Sequence, residues 1–578
     1  MGETLNLARQ VAQMIVVPAQ GSFLNVSPAV ASSGWAAEQP YACAEPADLQ
    51  ELIQTLGIGG VWINAAPAAE AYLRIQQLQA WASLPLLVGA SLEQGAGHLF
   101  SGLSRCFPAL ALQGLEADQS SYWTASMARI TTREALTVGI NWLLAPMVDP
   151  SPQTLNPFLA DHRTFGSEPD QVSLRVNAFI AAARAEGMLT TAKTYPGYSS
   201  SSSCEESPWP RCDLPLPDLI SGPLQPLLQA VQAGVDAVMT AHVLIPETDP
   251  NWPATFSPSV LQPLLSSFAG LVVTDVLDHP LLLAHFNPAE IALRAVQAGA
   301  DLLLAPPRPA ETVATLCEAV EQGVIPAERI QRSVGKILRA KQRIMPQAAS
   351  LLQHWWPSLR PPAPAPQDPG RRVETGLLRE LLLDESLPKG TVRNAMGMSP
   401  LTALSHPCES GETQAYLQAL AHVSVQGQSL EALPLKPQGL AWIWTKDVFL
   451  AQDLGPDAPG LTQPMQAGLE VLLCDNRTPL TTLESSLNAA ETLIVQWFLP
   501  MASSLEDPPP WVWHLLAEQL HKTQAVIWYG NRDLGQRLSV VLNGAAHPIP
   551  YLQSLTAHSL VQSQIWARLL GSSVAPLI

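Results

Sequence analysis

The sequence predicts an α/β protein: a (β/α)8 TIM-type barrel followed by a smaller α/β domain with a parallel sheet. Three observations predict it. Up to about residue 345, eight short apolar β-type runs alternate with amphipathic helical stretches. A proline-dense stretch follows, containing Arg360-Pro-Pro-Ala-Pro-Ala-Pro-Gln-Asp-Pro. From about residue 371 a second, shorter alternation begins.

The eight runs fall at residues 14–17, 60–63, 85–89, 142–145, 190–194, 237–240, 271–274 and 302–304. Helical patterns such as 167–186, 224–233 and 288–298 separate them. A doubly wound open sheet is the competing arrangement for such an alternation. The stretch 327–343 puts Ile330, Val334, Ile337 and Leu338 on one face and closes the unit. Residues 1–345 thus form the barrel domain, and residues 346–370 a stiff, extended linker. Residues 371–578 form the second domain, with strands at 423–425, 441–444, 470–473, 493–497 and 525–529. Helices at 511–520 and 558–570 accompany them, and Gly530-Asn531 marks a sharp turn. No glycine-rich phosphate loop is present, so no nucleotide site is argued.

Composition narrows the function. With 49 acidic and 31 basic residues the chain carries a net charge of −18, which speaks against nucleic acid or an anionic membrane as partner. Residues 1–10 show no basic segment leading into an apolar core. No apolar run reaches the roughly 20 residues of a membrane span. The expectation is a cytoplasmic protein with no membrane span. Cys43, Cys106, Cys204, Cys212, Cys317, Cys408 and Cys474 are odd in number and scattered, so they read as reduced thiols without zinc-ligand spacing. No metal or organic cofactor is expected, and the oligomeric state stays open.

Four groups of polar residues fall at or just after predicted strand ends. Asp161-His162-Arg163-Thr164-Phe165-Gly166 follows the fourth strand. Lys193-Thr194-Tyr195-Pro196-Gly197-Tyr198 ends the fifth and runs into serines 199–203 and Cys204-Glu205-Glu206. Met239-Thr240-Ala241-His242 ends the sixth. The run Gly270-Leu271-Val272-Val273-Thr274-Asp275 ends the seventh in one carboxylate. At the C-terminal end of a barrel strand a carboxylate carries chemistry, although an Asp there can also cap the next helix. Arg, Lys and His on one face donate to sugar hydroxyls, while a carboxylate attacks or stabilises an oxocarbenium centre. Arg163 could instead pair with Asp161, and His242 could be a satisfied core histidine. Lys193 at a strand end needs a buried partner. The serine run reads as a flexible linker, which also fits a lid.

The order of these pieces resembles glycoside hydrolase family 3 across about residues 5–343. The family pattern runs D-x-E-G-G-R, R-x-F-G, K-H-F-P-G-H-G, M-T-A-H and a strand ending T/S-D. Here the first segment reads Ser91-Leu92-Glu93-Gln94-Gly95-Ala96-Gly97, the stretch 141–149 follows, and the others are those quoted above. The segment Val526-Ile527-Trp528-Tyr529-Gly530-Asn531 with the helix at 562–570 looks like the second domain of two-domain N-acetylglucosaminidases. The resemblance implies that Asp275 is the nucleophile of a retaining mechanism. It implies that Arg163, Lys193 and His242 hold the hydroxyls of the sugar being cleaved. Ser91 and Glu93, in the first segment, and Tyr198, at the motif's second His, join them as substrate-binding candidates.

The acid/base loop departs from the family. In the branch acting on N-acetylglucosaminides, a His oriented by an Asp two residues earlier is the acid/base. By counting, Cys204 falls near that Asp and Glu206 near that His. Thr194 replaces the motif's first His, Ser91 an Asp, and Leu99 lies near the usual Arg. One reading makes Glu205 or Glu206 the acid/base of a retaining exo-β-glycosidase, a β-N-acetylhexosaminidase acting on terminal sugars of cell-wall (peptidoglycan) fragments. The other makes the chain a catalytically impaired member that binds carbohydrate or a protein partner. Glu205-Glu206 can equally be a pair of solvated loop carboxylates.

Overall fold

The computed structural model describes residues 5–21, 46–115, 117–151, 163–204, 207–345, 352, 356, 415–416, 420, 425–427, 439–445, 454, 458–475, 477–498, 509–529, 538, 541–542, 549, 551–554 and 559–569. Its first sheet comprises β1 Ile15–Ala19, β2 Gly60–Ile63, β3 Leu87–Ala90, β4 Trp142–Leu143, β5 Leu189–Tyr195, β6 Ala237–Thr240, β7 Leu271–Val273 and β8 Leu303–Leu304. Neighbours pair in the order β7-β6-β5-β4-β3-β2-β1-β8, every pair parallel. A parallel bridge between Val273 and Leu302 joins the two ends and closes the cylinder. The open-sheet arrangement is thereby excluded.

All eight expected strands are present, displaced by at most two or three residues at either end. Their apolar runs are continuous because barrel strands are covered on both sides: every residue of β1, β2, β3 and β5 is buried. The outer helices start where local chemistry allows. Ser257 accepts from Val260 N (3.2 Å) ahead of the helix Pro258–Ser267, and Asn287 accepts from Glu290 N (2.9 Å) ahead of Pro288–Ala298.

The strand N-termini are pinned by charge. Asp236, just before β6, accepts from Thr190 N (3.0 Å) and pairs with Arg343 (2.8 Å). Asp301, just before β8, accepts from Val272 N (3.0 Å) and Ser333 Oγ (2.6 Å) and pairs with Lys336 (2.9 Å). Arg343, Ser333 and Lys336 all belong to the closing helix Ala327–Ile344. The same helix buries Lys341, whose ammonium donates to Gln13 Oε1 (2.7 Å) and is pulled down to about 7 by burial. With the N-terminal end committed to stability, the C-terminal end is left for chemistry.

The second sheet comprises β9 Val425–Gly427, β10 Gly439–Thr445, β11 Glu470–Cys474, β12 Thr492–Phe498, β13 Thr523–Tyr529 and β14 Tyr551–Ser554, in the order β9-β14-β13-β12-β10-β11. It is parallel except at one edge, where β9 runs antiparallel to β14, a strand the sequence pattern does not reveal. Period-2 alternation sorts its faces. Trp442, Trp444, Trp497 and Trp528 pack on one face. Ala441, Ile443, Ile494, Ile527 and Tyr529 on the other join an apolar cluster continuous with the barrel core. Tyr416 belongs to that cluster, its ring 6.4 Å from Phe107 and 6.3 Å from Trp123 of the barrel domain. Except for Leu352 and Trp356, the proline-rich stretch 346–370 lies outside the described residues, as does Gly530-Asn531. Among the described residues no helix is long and apolar enough to cross a membrane.

Candidate active site

The C-terminal ends of β3, β5, β6 and β7 converge with the loop that carries Arg163. Ser91 and Glu93 follow β3, Lys193 lies near the end of β5, His242 follows β6 and Asp275 follows β7. Glu93 organises one wall. Its Oε2 accepts from Arg163 Nε (2.6 Å), and its Oε1 accepts from Arg163 Nη2 (2.9 Å) and Lys193 Nζ (3.1 Å). Lys193 also donates to Ser91 Oγ at 3.4 Å. Burial alone would raise the Glu93 carboxyl, but Arg163 and Lys193 hold it well below the ordinary carboxylate range. Burial pulls Lys193 down against the pull of Glu93, whereas Glu93 lifts Arg163 despite its burial. Both cations also feel the charge of Asp275, so the two halves of the site share one field.

Asp275 is held at both oxygens. Oδ1 accepts from Val276 N (2.8 Å) and Oδ2 from the Tyr198 hydroxyl (3.1 Å). The backbone N–H of Asp275 lies 3.4 Å from Thr240 Oγ1. Its side chain starts no helix here: the next helix, Pro280–His285, is capped by His279, which accepts from Leu281 N (3.2 Å). The capping alternative for Asp275 is thereby removed.

Three expected sugar contacts are hydrogen-bonded within the protein in this geometry. Glu93 commits both oxygens to cations, because two buried positive groups need a counter-charge more than a hydroxyl needs an acceptor. His242 is the satisfied core histidine: Nε2 lies 3.0 Å from Val276 O and so donates, and Nδ1 lies 2.9 Å from Thr255 Oγ1. It braces the loop carrying Asp275. The Tyr198 hydroxyl accepts from His242 N (2.9 Å) and donates to Asp275. Arg163 pairs with Glu93, and Asp161, its alternative partner, lies outside the described residues with His162.

Asp149, a centre of the site, was not among the sequence candidates. Its Oδ2 accepts from Thr194 N (3.0 Å) and Thr194 Oγ1 (2.8 Å), and its Oδ1 from Tyr198 N (2.7 Å) and Ser199 N (3.1 Å). Burial raises its pKa against these four donors. The turn it holds needs Gly197, whose φ is +101° and whose Cβ, if present, would lie 2.6 Å from Asp149 Oδ1. Thr255 and His98 were also missed. His98 Nδ1 is buried without a hydrogen-bond partner among the described residues, and burial with Arg105 pulls the ring to about 4, which leaves it neutral.

The serine run is not all linker. Ser202–Cys204 and Ser207–Arg211 pair as an antiparallel hairpin. Main-chain bonds from Leu244 N to Pro210 O (2.8 Å) and from Cys212 N to Leu244 O (2.9 Å) tie its second strand to the loop after β6. Glu205 and Glu206 fall between these two segments in the sequence and lie outside the described residues. Among the described residues no group of three His, Cys, Asp or Glu is placed to hold a metal ion.

The arrangement is therefore a wall of two ordered cations beside one fixed carboxylate. Comparison with known proteins identifies the family. The model of the glycosyl hydrolase family 3 N-terminal domain matches residues 7–340. A β-N-acetylglucosaminidase/β-glucosidase of Cellulomonas fimi is 27% identical over 321 residues, covering 52% of this chain and 54% of that protein. β-Hexosaminidase A of Pseudoalteromonas piscicida is 26% identical over 340 residues, covering 53% and 57%. The chain thus spans about half the length of these curated relatives. The solved family 3 β-N-acetylglucosaminidase of Paenibacillus sp. str. FPU-7 superimposes with a TM-score of 0.71 over 98% of this chain and 97% of that one. At 20% identity it shares the two-domain fold.

Proposed function

We propose that this chain, which belongs to glycosyl hydrolase family 3, is a retaining exo-β-glycosidase that removes terminal N-acetylhexosamine units. The observation that carries the reading is Asp275, a carboxylate fixed at the C-terminal end of β7 within the field of Arg163 and Lys193. Two relatives named for N-acetylglucosamine or hexosamine hydrolysis support the sugar. Assignment of the substrate to cell-wall fragments and of the reaction to the cytoplasm rests on the sequence reading alone.

In this reading the sugar binds with its hydroxyls toward Arg163 and Lys193, whose positions Glu93 sets. Asp275 attacks the anomeric carbon and forms a glycosyl-enzyme. A second carboxyl about 5–5.5 Å away protonates the departing oxygen and then activates water. In this proposal Glu206 or Glu205, both outside the described residues, supplies that carboxyl. The second reading is a binding protein that has lost hydrolysis. Ser91, which stands where the family motif has an Asp, favours it.

Release of a fluorescent leaving group from a panel of β-glycosides, the N-acetylglucosaminide first, tests the proposal. Turnover that Asp275→Asn abolishes and that Glu206→Gln or Glu205→Gln depresses by orders of magnitude is expected. A folded chain that binds sugar and turns over none of the panel would establish the second reading.

A further inference from the structure

The reaction above requires Asp275 to leave as well as to attack. One of its oxygens bonds to the anomeric carbon, and that bond must later break. The geometry fixes what the other oxygen does meanwhile. Tyr198 lies on the turn that Asp149 clamps through Tyr198 N (2.7 Å) and Ser199 N (3.1 Å). Its oxygen accepts from His242 N (2.9 Å), so its single proton is directed to Asp275 Oδ2 (3.1 Å). Burial, and then the charge of Asp275, push this phenol well above its ordinary range, so it remains a donor throughout the working pH. Asp275 Oδ1 accepts from the Val276 N–H of its own loop and is taken as the attacking oxygen.

Resting on the retaining reading, we infer that Tyr198 is the donor that activates the Asp275 carboxylate as a leaving group in the second half of the reaction. In the first half, the Asp275 Oδ1 bond to the anomeric carbon forms and the bond to the departing oxygen breaks, with the proton coming from the acid/base. Charge leaves the carboxylate, and the Tyr198 hydrogen bond weakens. In the second half, water oxygen bonds to the anomeric carbon, the bond to Oδ1 breaks, its electron pair returns to the carboxylate, and the water proton passes to the acid/base. Charge builds on Oδ2, and the Tyr198 bond strengthens as the barrier is crossed. The same hydroxyl thus holds back attack slightly and speeds release. It occupies the position of the motif's second His, which makes this division of labour a property of this chain's own loop.

The signs give a test that a merely structural role would not satisfy. Tyr198→Phe keeps the ring and deletes the donor. With an aryl β-glycoside of good leaving group, kcat is expected to fall about tenfold. KM is expected to fall with it, kcat/KM to hold or rise, and a covalent glycosyl-enzyme to accumulate in the intact mass spectrum. Equal losses in kcat and kcat/KM without an adduct would overturn the inference, as would unchanged kinetics. No turnover by the folded wild-type chain would remove the retaining reading and the inference together, whereas wild-type turnover indifferent to Tyr198→Phe would remove the inference alone. If Tyr198→Phe does not fold, Tyr198→3-fluorotyrosine preserves the shape and sharpens the donor. Faster decay of the trapped 2-fluoroglycosyl-enzyme is then expected, and an unchanged decay rate would overturn the proposal.

Discussion

Glu93→Gln isolates the electrostatic premise of the site. The carboxylate receives three charge-assisted hydrogen bonds, at 2.6, 2.9 and 3.1 Å, from two buried cations. The substitution keeps the volume but removes a negative partner bonded directly to both. Losing one partner of a buried pair costs about 3–5 kcal/mol, because the other charge stays uncompensated. At about 2.1 cal/mol/K of unfolding entropy per residue, that is a fall in Tm of roughly 2–4 °C for the whole chain, or roughly 4–7 °C if the barrel unfolds alone. The pH dependence gives the sign. Glu93 is held below its unfolded value, so the unfolded chain binds the extra proton as pH drops below the ordinary carboxylate range. Its stabilisation is complete above that range, begins to fall within it, and is lost progressively as pH drops toward the depressed folded value. The gap in Tm between wild type and Glu93→Gln should therefore be widest near neutrality and narrow toward pH 4. Calorimetry at pH 7.5 and pH 4, with Asp275→Asn as a second reference, measures it. A gap below about 1 °C at neutral pH, or one that widens on acidification, would refute the reasoning.

Two further predictions concern the scaffold. Gly197→Ala should lower stability by about 1–3 kcal/mol and turnover by more than tenfold, since φ of +101° is unfavourable for alanine and the new methyl would meet Asp149; unchanged melting and kinetics would show that the turn tolerates a side chain. Lys341→Met should gain most in Tm relative to wild type at or below pH 7 and lose that advantage as pH rises toward about 10. Burial holds the Lys341 ammonium at about 7, so its cost is relieved across that window, and a pH-independent difference would contradict the assignment.

The barrel was legible because its signal is local. Each strand is a short apolar run bounded by turn residues, and burial on both faces keeps that run continuous. The elements that escaped are those whose strand character comes from a distant partner. The hairpin Ser202–Cys204 with Ser207–Arg211 carries serines and prolines that read as linker, and it is held by main-chain bonds to Leu244. The strand Tyr551–Ser554 is four residues long and is defined by pairing with β9 and β13.

The site divides along the same line. Asp275 and Lys193 could be picked out at strand ends and Arg163 on a loop, each within a recognisable motif. What each does depends on groups far away in sequence. Glu93 meets Arg163 across 70 positions and Lys193 across 100, and Asp149 meets Thr194, Tyr198 and Ser199 across 45 to 50. No local pattern distinguishes a carboxylate that will bind a sugar from one that will organise cations or a turn. The replacements that looked like losses illustrate this. Thr194 stands where the motif has a His, yet its hydroxyl serves Asp149 (2.8 Å), and Tyr198 stands where it has another, yet its hydroxyl serves Asp275 (3.1 Å). A degenerated site would be expected to leave its buried carboxylates without donors, because no selection would maintain costly desolvated charge. Here Glu93, Asp149 and Asp275 are each held at both oxygens. Substituted residues have entered new bonds to the same carboxylates, and that argues for a rebuilt site over an abandoned one.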